Sequence, residues 1–201
     1  MKYITIGGIT LDDTIFHNGP VKFDCPGGNS IYSALGAKLW TDSVGIVGRI
    51  GDDYPQSYLD MLAESGIDIR GITRVEIPNQ HLWILYEDDS SRQFFYHRTS
   101  SVMDSEIDPD INQFPSDYLN CHCAHLSAMG YKAQELIARF LIEKQIKFSY
   151  DITQASLLID WEKYTENFAT KQSHLLLPSI EEIEGIYGKQ PLIPLLKKLS
   201  E

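Results

Sequence analysis

The sequence has few basic residues: 17 lysines and arginines stand against 28 aspartates and glutamates, which gives a formal net charge of −11. Proteins that bind nucleic-acid backbones gather lysine and arginine into a patch or stripe. This chain shows no such stripe, so we expect no nucleic-acid partner. It also lacks any hydrophobic run close to the ~18 residues of a membrane-spanning helix, and we expect no membrane association. Its three cysteines, an odd number, do not make a disulfide framework and predict a reducing, cytoplasmic location.

Hydrophobic residues make up 43% of the 201 residues, which is enough for a single domain with a buried core. Short apolar runs alternate with stretches whose apolar residues recur at helical spacing. This alternation is typical of a mostly parallel sheet flanked by helices. Strands are predicted over 3–8, 44–47, 121–129, 148–151 and 174–178, and helices over 55–65, 133–144, 161–170 and 191–201.

Two further regions predict β-hairpins. In the first, residues 14–25, Asn18-Gly19-Pro20 separates two short β-prone runs. In the second, the strands 81–86 and 93–98 flank a polar turn at 87–91. Both faces of these strands carry large apolar side chains, which a free-standing hairpin would leave in water, so we expect each face to be covered.

The densest pattern in the chain begins at Pro26-Gly27-Gly28-Asn29-Ser30. Two glycines allow positive φ and a close approach of the backbone to a ligand. Asn29 or Ser30 is predicted to cap the following helix, whose N-terminal N–H groups suit a hydroxyl-rich or anionic small molecule. On these residues alone, a glycine turn that leads into a packed helix explains the pattern equally well.

The next segments extend this pattern. A Val-Gly-x-Val-Gly-x-x-Gly-Asp-Asp run occupies 44–53, and the helix that follows ends in Glu64-Ser65-Gly66-Ile67. The ordered series resembles the first signature of the PfkB (ribokinase-like) carbohydrate kinases, over residues 1 to about 190 and most densely over 26–67. The resemblance implies a ribokinase-like α/β fold whose mostly parallel sheet is flanked by helices. It also implies a small β-sheet lid built from about 12–25 and 79–98.

The resemblance also implies a substrate site. In the family an aspartate shortly after the first strand accepts hydrogen bonds from sugar hydroxyls, and Asp12 stands at that place. Gly27, Gly28 and Asn29 would complete the contacts to a sugar or nucleoside, and Arg98 could reach an anionic group of the substrate. Without the resemblance, Asp12 reads as part of a solvated turn and Arg98 as an exposed loop arginine.

Glu182 is the candidate metal residue. The family places Asn-x-x-Glu here, and its glutamate orders water around Mg²⁺ beside the phosphates of ATP; this chain has Ser179 where asparagine is usual. A capping box from Ser179 to Glu182 explains the same two residues without any ligand. The resemblance thus implies Mg²⁺ as cofactor and ATP as co-substrate. Separately, the lid strands of the family imply a homodimer formed through them.

Three other groups of residues have structural interpretations. Asp52 and Asp53 are predicted to cap the helix that follows them. Cys121, Cys123 and His125 occupy alternate positions of a strand and so share one of its faces. The sequence has no second cluster of cysteines to complete a zinc site, so we expect small buried residues there rather than zinc. Asp151 stands at the carboxyl end of its strand, where ligand sites of α/β sheets cluster.

The 201 residues contain no Gly-Ala-Gly-Asp run, the segment that carries the anion hole and catalytic aspartate in PfkB kinases. We therefore expect an incomplete ribokinase-like domain over 1–201 that is inactive alone, since phosphoryl transfer needs those groups. Three explanations fit the missing segment: a shortened gene product, a shortened protein, or a partner chain that supplies the rest. The alternative function is a catalytically inactive protein that binds a small polyol, or a partner through its lid strands.

Overall fold

A six-stranded parallel sheet and a four-stranded mixed sheet make up the fold in the computed structural model, which describes residues 1–88, 91–96, 106–152 and 171–200. The strands of the larger sheet run in the order β10-β9-β8-β1-β4-β5, and every pair in it is parallel, as the sequence predicts. Its strands are β1 (Tyr3–Ile6), β4 (Val44–Ile50), β5 (Asp68–Arg74), β8 (Cys123–Leu126), β9 (Phe148–Tyr150) and β10 (Leu175–Leu176).

Helices flank this sheet where the apolar residues recur at helical spacing. The α-helices are α1 (Asn29–Lys38), α2 (Gln56–Glu64), α3 (Tyr131–Glu143), α4 (Ile180–Tyr187) and α5 (Leu192–Ser200), with short 3₁₀ helices at Ile111–Gln113 and Ser116–Asn120. The helix predicted over 161–170 lies outside the described residues. Within the described part of the chain, no helix is both long and apolar enough to span a bilayer.

The core lies in two clusters. One, with α3, includes Ile4, Leu126 and Ile137, and the other, with α1 and α2, includes Ile46 and Leu62. Each of these side chains is almost fully buried and contributes roughly 1.5–3 kcal/mol of transfer free energy. The two clusters hold the helices against the faces of the sheet.

The smaller sheet consists of the two predicted hairpins joined side by side. Its strands are β2 (Thr10–Phe16), β3 (Val21–Gly27), β6 (His81–Tyr86) and β7 (Arg92–Tyr96), in the order β3-β2-β6-β7. Both hairpins are antiparallel, and the central pair β2–β6 is parallel. Several large apolar side chains on it remain exposed, most of all Phe23 at 67%. The six-stranded parallel sheet and this smaller four-stranded sheet together confirm the predicted fold class.

Asn79 joins the two sheets. Its fully buried side chain accepts a hydrogen bond from the Gly51 N–H at 2.8 Å and donates to the carbonyls of Ile9 at 3.3 Å and Gln80 at 3.0 Å. Its own N–H donates to Asp53 at 2.6 Å. One amide thus links the end of β4, the β1–β2 connection and the start of β6.

Two features differ from the sequence-based expectations. Asp52 and Asp53 do not cap α2: its N-cap is Pro55, without a side-chain cap bond, and the Asp53 carboxylate binds the Asn79 N–H instead. The sequence pattern does not predict strand β5, because this edge strand is largely polar and has Gly71 at its centre.

Candidate functional site

The carboxyl edge of the larger sheet gathers the residues with functional potential. β1 ends before Gly7, β8 before Ser127 and β9 before Asp151. Since the three strands are parallel neighbours, the residues that follow them share one edge. Ligands of open α/β sheets bind outside this edge.

Asp12 lies on β2 close to this edge, with only 4% of its surface exposed. Thr10 Oγ1 donates a hydrogen bond to its Oδ1 at 2.7 Å. Burial raises the pKa of the Asp12 carboxyl, and the Thr10 hydroxyl opposes this only in part. The carboxylate is therefore held in one orientation and is poorly hydrated, which strengthens any hydrogen bond that it accepts from a ligand.

Gly27 is the immediate neighbour of that carboxylate. It lies opposite Thr10 in the β2–β3 pair, and a Cβ atom at Gly27 would overlap the Asp12 side chain. The structure therefore brings Asp12 and Gly27 into contact, and it explains why no larger residue fits at position 27.

Gly28 is the N-cap of α1 and has φ +99°, which disfavours any residue with a side chain. A Cβ atom here would also overlap the Gly8 carbonyl oxygen. Ser30 Oγ donates to that same carbonyl at 2.8 Å. The beginning of α1 is thereby fixed against the β1–β2 connection.

The predicted capping of α1 by Asn29 or Ser30 is wrong, since the helix has no side-chain cap bond. The Ser30 hydroxyl is a donor to Gly8 rather than an acceptor for the helix. The exposed Asn29 side chain donates from Nδ2 to Asp151 Oδ2 in a long hydrogen bond of 3.4 Å. Asn29 therefore faces the end of β9.

The Asp151 carboxyl has a strongly raised pKa. Burial, with a further contribution from the Glu182 charge, raises its pKa to about 7. Its backbone is fixed on both sides, because its N–H donates to Leu126 O at 2.9 Å and its carbonyl accepts from Gln134 Nε2 at 3.0 Å. Near neutral pH this carboxyl can therefore either donate or accept a hydrogen bond.

Glu182 forms the capping box that its spacing allows. Ser179 Oγ accepts from the Glu182 N–H at 3.2 Å, and Glu182 Oε2 accepts from the Ser179 N–H at 2.7 Å. Glu182 is 6% exposed, and burial raises the pKa of its carboxyl. The capping interpretation is confirmed, and the magnesium role of Glu182 stays a prediction.

Three tyrosines that no sequence motif indicated lie within electrostatic reach of Asp12: Tyr32, Tyr54 and Tyr96. Burial raises the pKa of each phenol, and the Asp12 charge raises it further. Among the described residues, the buried Tyr54 hydroxyl has no hydrogen-bond partner. Aromatic rings beside a carboxylate offer an apolar face and polar tips to a sugar or a base.

Two further residues are singled out in the sequence. Arg98 lies outside the described residues. His125 Nδ1 is 2.9 Å from Ser149 Oγ on the neighbouring strand, and burial lowers the pKa of its imidazole.

Known proteins resemble this chain in sequence and in fold. No protein-family model matches the sequence. The cytidine kinase of Thermococcus kodakarensis is 26% identical over 196 residues, which cover 94% of this chain and 62% of that enzyme. The chain thus spans less than two thirds of the length of this relative.

Solved structures match more of the fold. The fructokinase of Halothermothrix orenii superposes with a TM-score of 0.76 at 15% identity, over 98% of this chain and 75% of that one. The chain has the ribokinase-like fold. An E. coli protein assigned as ribokinase II, in complex with ATP and Mg²⁺, has a TM-score of 0.68 at 17% identity and covers 98% of this chain and 68% of that one. The resemblance to PfkB kinases that the sequence indicates is confirmed, with sugar and nucleoside kinases as neighbours.

Proposed function

We propose that this chain is the substrate-binding and lid portion of a PfkB-type kinase that transfers the ATP γ-phosphoryl group to a sugar or nucleoside hydroxyl. The main support is the contact between the Asp12 carboxylate and Gly27, which ends β3 just before α1 on the carboxyl side of a ribokinase-like sheet. This arrangement places a buried acceptor beside Gly27, one residue away from the half-buried Gly28, the N-cap of α1, which suits a polyhydroxylated ligand.

Each site residue has a proposed role. Asp12 accepts hydrogen bonds from substrate hydroxyls, Gly27 and Gly28 let the backbone approach the ligand, and Asn29 supplies an amide. Arg98 reaches an anionic group when the substrate carries one. The strands of the smaller sheet act as a lid that excludes water, within one ribokinase-like domain over 1–201.

Mg²⁺ and ATP are the proposed cofactor and phosphoryl donor, supported by the E. coli neighbour that holds both. The carboxylates of Asp151 and Glu182 fit Mg²⁺, because they are oxygen donors close enough for the Glu182 charge to raise the Asp151 pKa. When bound, the metal neutralises charge that develops on the phosphates. The base that accepts the proton of the substrate hydroxyl would come from outside these 201 residues, so we expect this chain alone to show no turnover.

Calorimetric titration tests the binding site. The purified chain is titrated with ribose, fructose, 2-keto-3-deoxygluconate, adenosine and cytidine, alongside Asp12→Asn and Asn29→Ala. We expect one ligand class to bind and each variant to weaken it by about tenfold or more, because a hydrogen bond to a charged or buried group is lost. The matched control is Asn120→Ala, an exposed amide on a 3₁₀ helix. Unchanged affinity in both site variants would refute the assignment.

A second candidate function rests on the exposed apolar side chains of the smaller sheet. Phe23, Trp83 and Phe95 are each at least 43% exposed, a pattern that favours association through the lid strands, as in a homodimer or a non-catalytic interaction protein. Sedimentation of the wild type and of Phe23→Asp distinguishes a dimer from a monomer. In a coupled kinase assay, turnover by the purified chain would exclude the inactive alternative and would also refute our expectation that the base comes from outside these 201 residues. We also propose a cytoplasmic location, consistent with three free cysteines.

A further inference from the structure

A second cluster of polar side chains lies on the smaller sheet, apart from the proposed substrate site. Asp13, Asp24 and His81 come from three neighbouring strands, β2, β3 and β6. Successive side chains of a strand point to opposite faces, so Asp13 faces away from its neighbour Asp12. The cluster is therefore a separate feature of the lid strands.

The spacing of its donor atoms suits a small metal ion. His81 Nε2 lies 3.0 Å from Asp13 Oδ1 and 3.6 Å from Asp24 Oδ1, and all three ligand atoms fall within 4.8 Å of one another. A tetrahedral zinc ion with bonds of about 2.0–2.2 Å holds its ligands roughly 3.3–3.6 Å apart. His81 Nε2 is therefore already near this spacing from both carboxylate oxygens.

The surroundings hold these donors in place. Asp13 Oδ2 accepts a hydrogen bond from Trp83 Nε1 at 3.0 Å, and its Oδ1 accepts from the Asp24 N–H at 2.9 Å. Tyr58 OH donates to the Asp24 carbonyl at 2.7 Å. Outer contacts of this kind orient metal ligands and raise metal affinity.

Among the described residues, burial leaves access to the cluster from the Asp24 side. The side chains of His81 and Asp13 are 3% and 7% exposed, whereas that of Asp24 is 62% exposed. An ion can therefore enter from the Asp24 side and keep a water ligand there. Without a cation, the same atoms form an ion pair when His81 is protonated, so metal binding must displace that proton.

We propose that Asp13, Asp24 and His81 bind a divalent transition-metal ion, with Zn²⁺ as the best match for one imidazole and two carboxylates. The ion would link β2, β3 and β6 and so stabilise the lid strands. Neither the nucleotide nor the sugar takes part in holding the ion, so Zn²⁺ binding can be measured in the absence of both.

Zn²⁺ titration of the purified chain by calorimetry tests the proposal, with Asp24→Asn as the main variant. Asp24 has φ +50°, a conformation that asparagine tolerates well, so this variant should keep the fold. We expect one ion per chain in the wild type and affinity weakened by about tenfold or more in Asp24→Asn. Asp52→Asn, which removes an exposed carboxylate outside the cluster, should bind as the wild type does.

Two results would overturn the proposal: no saturable Zn²⁺ binding to the wild type, or equal affinity in the wild type and Asp24→Asn. His81→Gln, checked for folding by circular dichroism, provides a second variant with the same expected loss. Co²⁺ absorption spectra then separate this site from the cysteines. Bands from nitrogen and oxygen ligands alone support the proposal, whereas sulfur-to-metal bands would place the ion at the thiols and contradict it.

Discussion

The Asn29 side chain donates a hydrogen bond to the Asp151 carboxylate across 122 residues of sequence. The contact joins the first turn of α1 to the carboxyl end of β9. Its acceptor is a carboxyl whose pKa is raised to about 7 by burial and by the Glu182 charge. The protonation state of Asp151 therefore affects the same amide that is proposed to contact the substrate.

Asp151 should make the protein less stable as the pH rises. A folded-state pKa of about 7 against an ordinary value of 3.8 means that the folded state binds more protons between these limits. The free energy of unfolding therefore falls as the pH rises from about 4 to about 7. We expect Asp151→Asn to match the wild type near pH 4 and to be more stable at pH 8 by about 1–2 kcal/mol, allowing for partial solvent exposure.

Urea denaturation at a series of pH values measures this difference. Asp52→Asn is the control, because its side chain is exposed and the described contacts at this position involve its backbone. Parallel pH profiles for the wild type and Asp151→Asn would show that the Asp151 pKa is not raised in the folded protein.

Gly27→Ala should destabilise the protein and displace Asp12. The added methyl group would overlap the Asp12 carboxylate, and we expect a loss of about 1–3 kcal/mol in the free energy of unfolding. Ligand affinity should fall as well. Denaturation curves and the calorimetric titration measure the two effects.

Gly36→Ala is the matched control for that prediction. Gly36 lies inside α1, and a methyl group added there would meet no other part of the protein within 4 Å. Alanine there should stabilise the helix by up to about 1 kcal/mol. Equal effects of the two substitutions would mean that Asp12 does not depend on the space at position 27.

Asn79→Ala should be the most damaging of these substitutions. It removes a buried amide and leaves the Gly51 N–H and the Ile9 carbonyl without their partner. Buried groups left unsatisfied cost about 1–3 kcal/mol each, so we expect a total loss of about 2–4 kcal/mol by urea denaturation. Asn120→Ala, an exposed change, should stay within about 0.5 kcal/mol of the wild type. A small effect at Asn79 would mean that other contacts hold the two sheets together.

Substitutions at Glu182 separate its capping role from its charge. Glu182→Gln keeps an acceptor for the Ser179 N–H and should change stability by no more than about 0.5 kcal/mol, whereas Glu182→Ala should cost about 0.5–2 kcal/mol. Glu182→Gln also removes a charge that raises the Asp151 pKa. Asp151 should then titrate at a lower pH by NMR, and an unchanged titration would exclude coupling between the two carboxyls.

Local patterns in the sequence predict much of the fold. The apolar run of β4 and the helical spacing of α3 each specify an element without reference to the rest of the chain. Such patterns do not predict the polar edge strand β5, because its pairing with β4, and not its own composition, makes it a strand.

The site shows the same limit. Asp12, Gly27 and Gly28 follow from glycine chemistry and the family pattern, and the structure places the first two in contact. The bond between Asn29 and Asp151 depends on which strand ends lie side by side, which no local pattern encodes. The wrong prediction that Asp53 caps α2 has a related cause. The Asp53 carboxylate accepts a hydrogen bond from the Asn79 N–H, which is distant in sequence, instead of one from the first N–H groups of the helix.

The parallel pairing of β2 with β6 has a consequence for the order of folding. The two strands are adjacent in the smaller sheet, but β3, α1, β4, α2 and β5 all intervene along the chain. Closing so long a loop carries an entropic cost that only the finished α/β unit can offset. The two hairpins should therefore form early and separately and join late, so the amides along the β2–β6 seam should exchange with solvent deuterium sooner than those of β1 and β4.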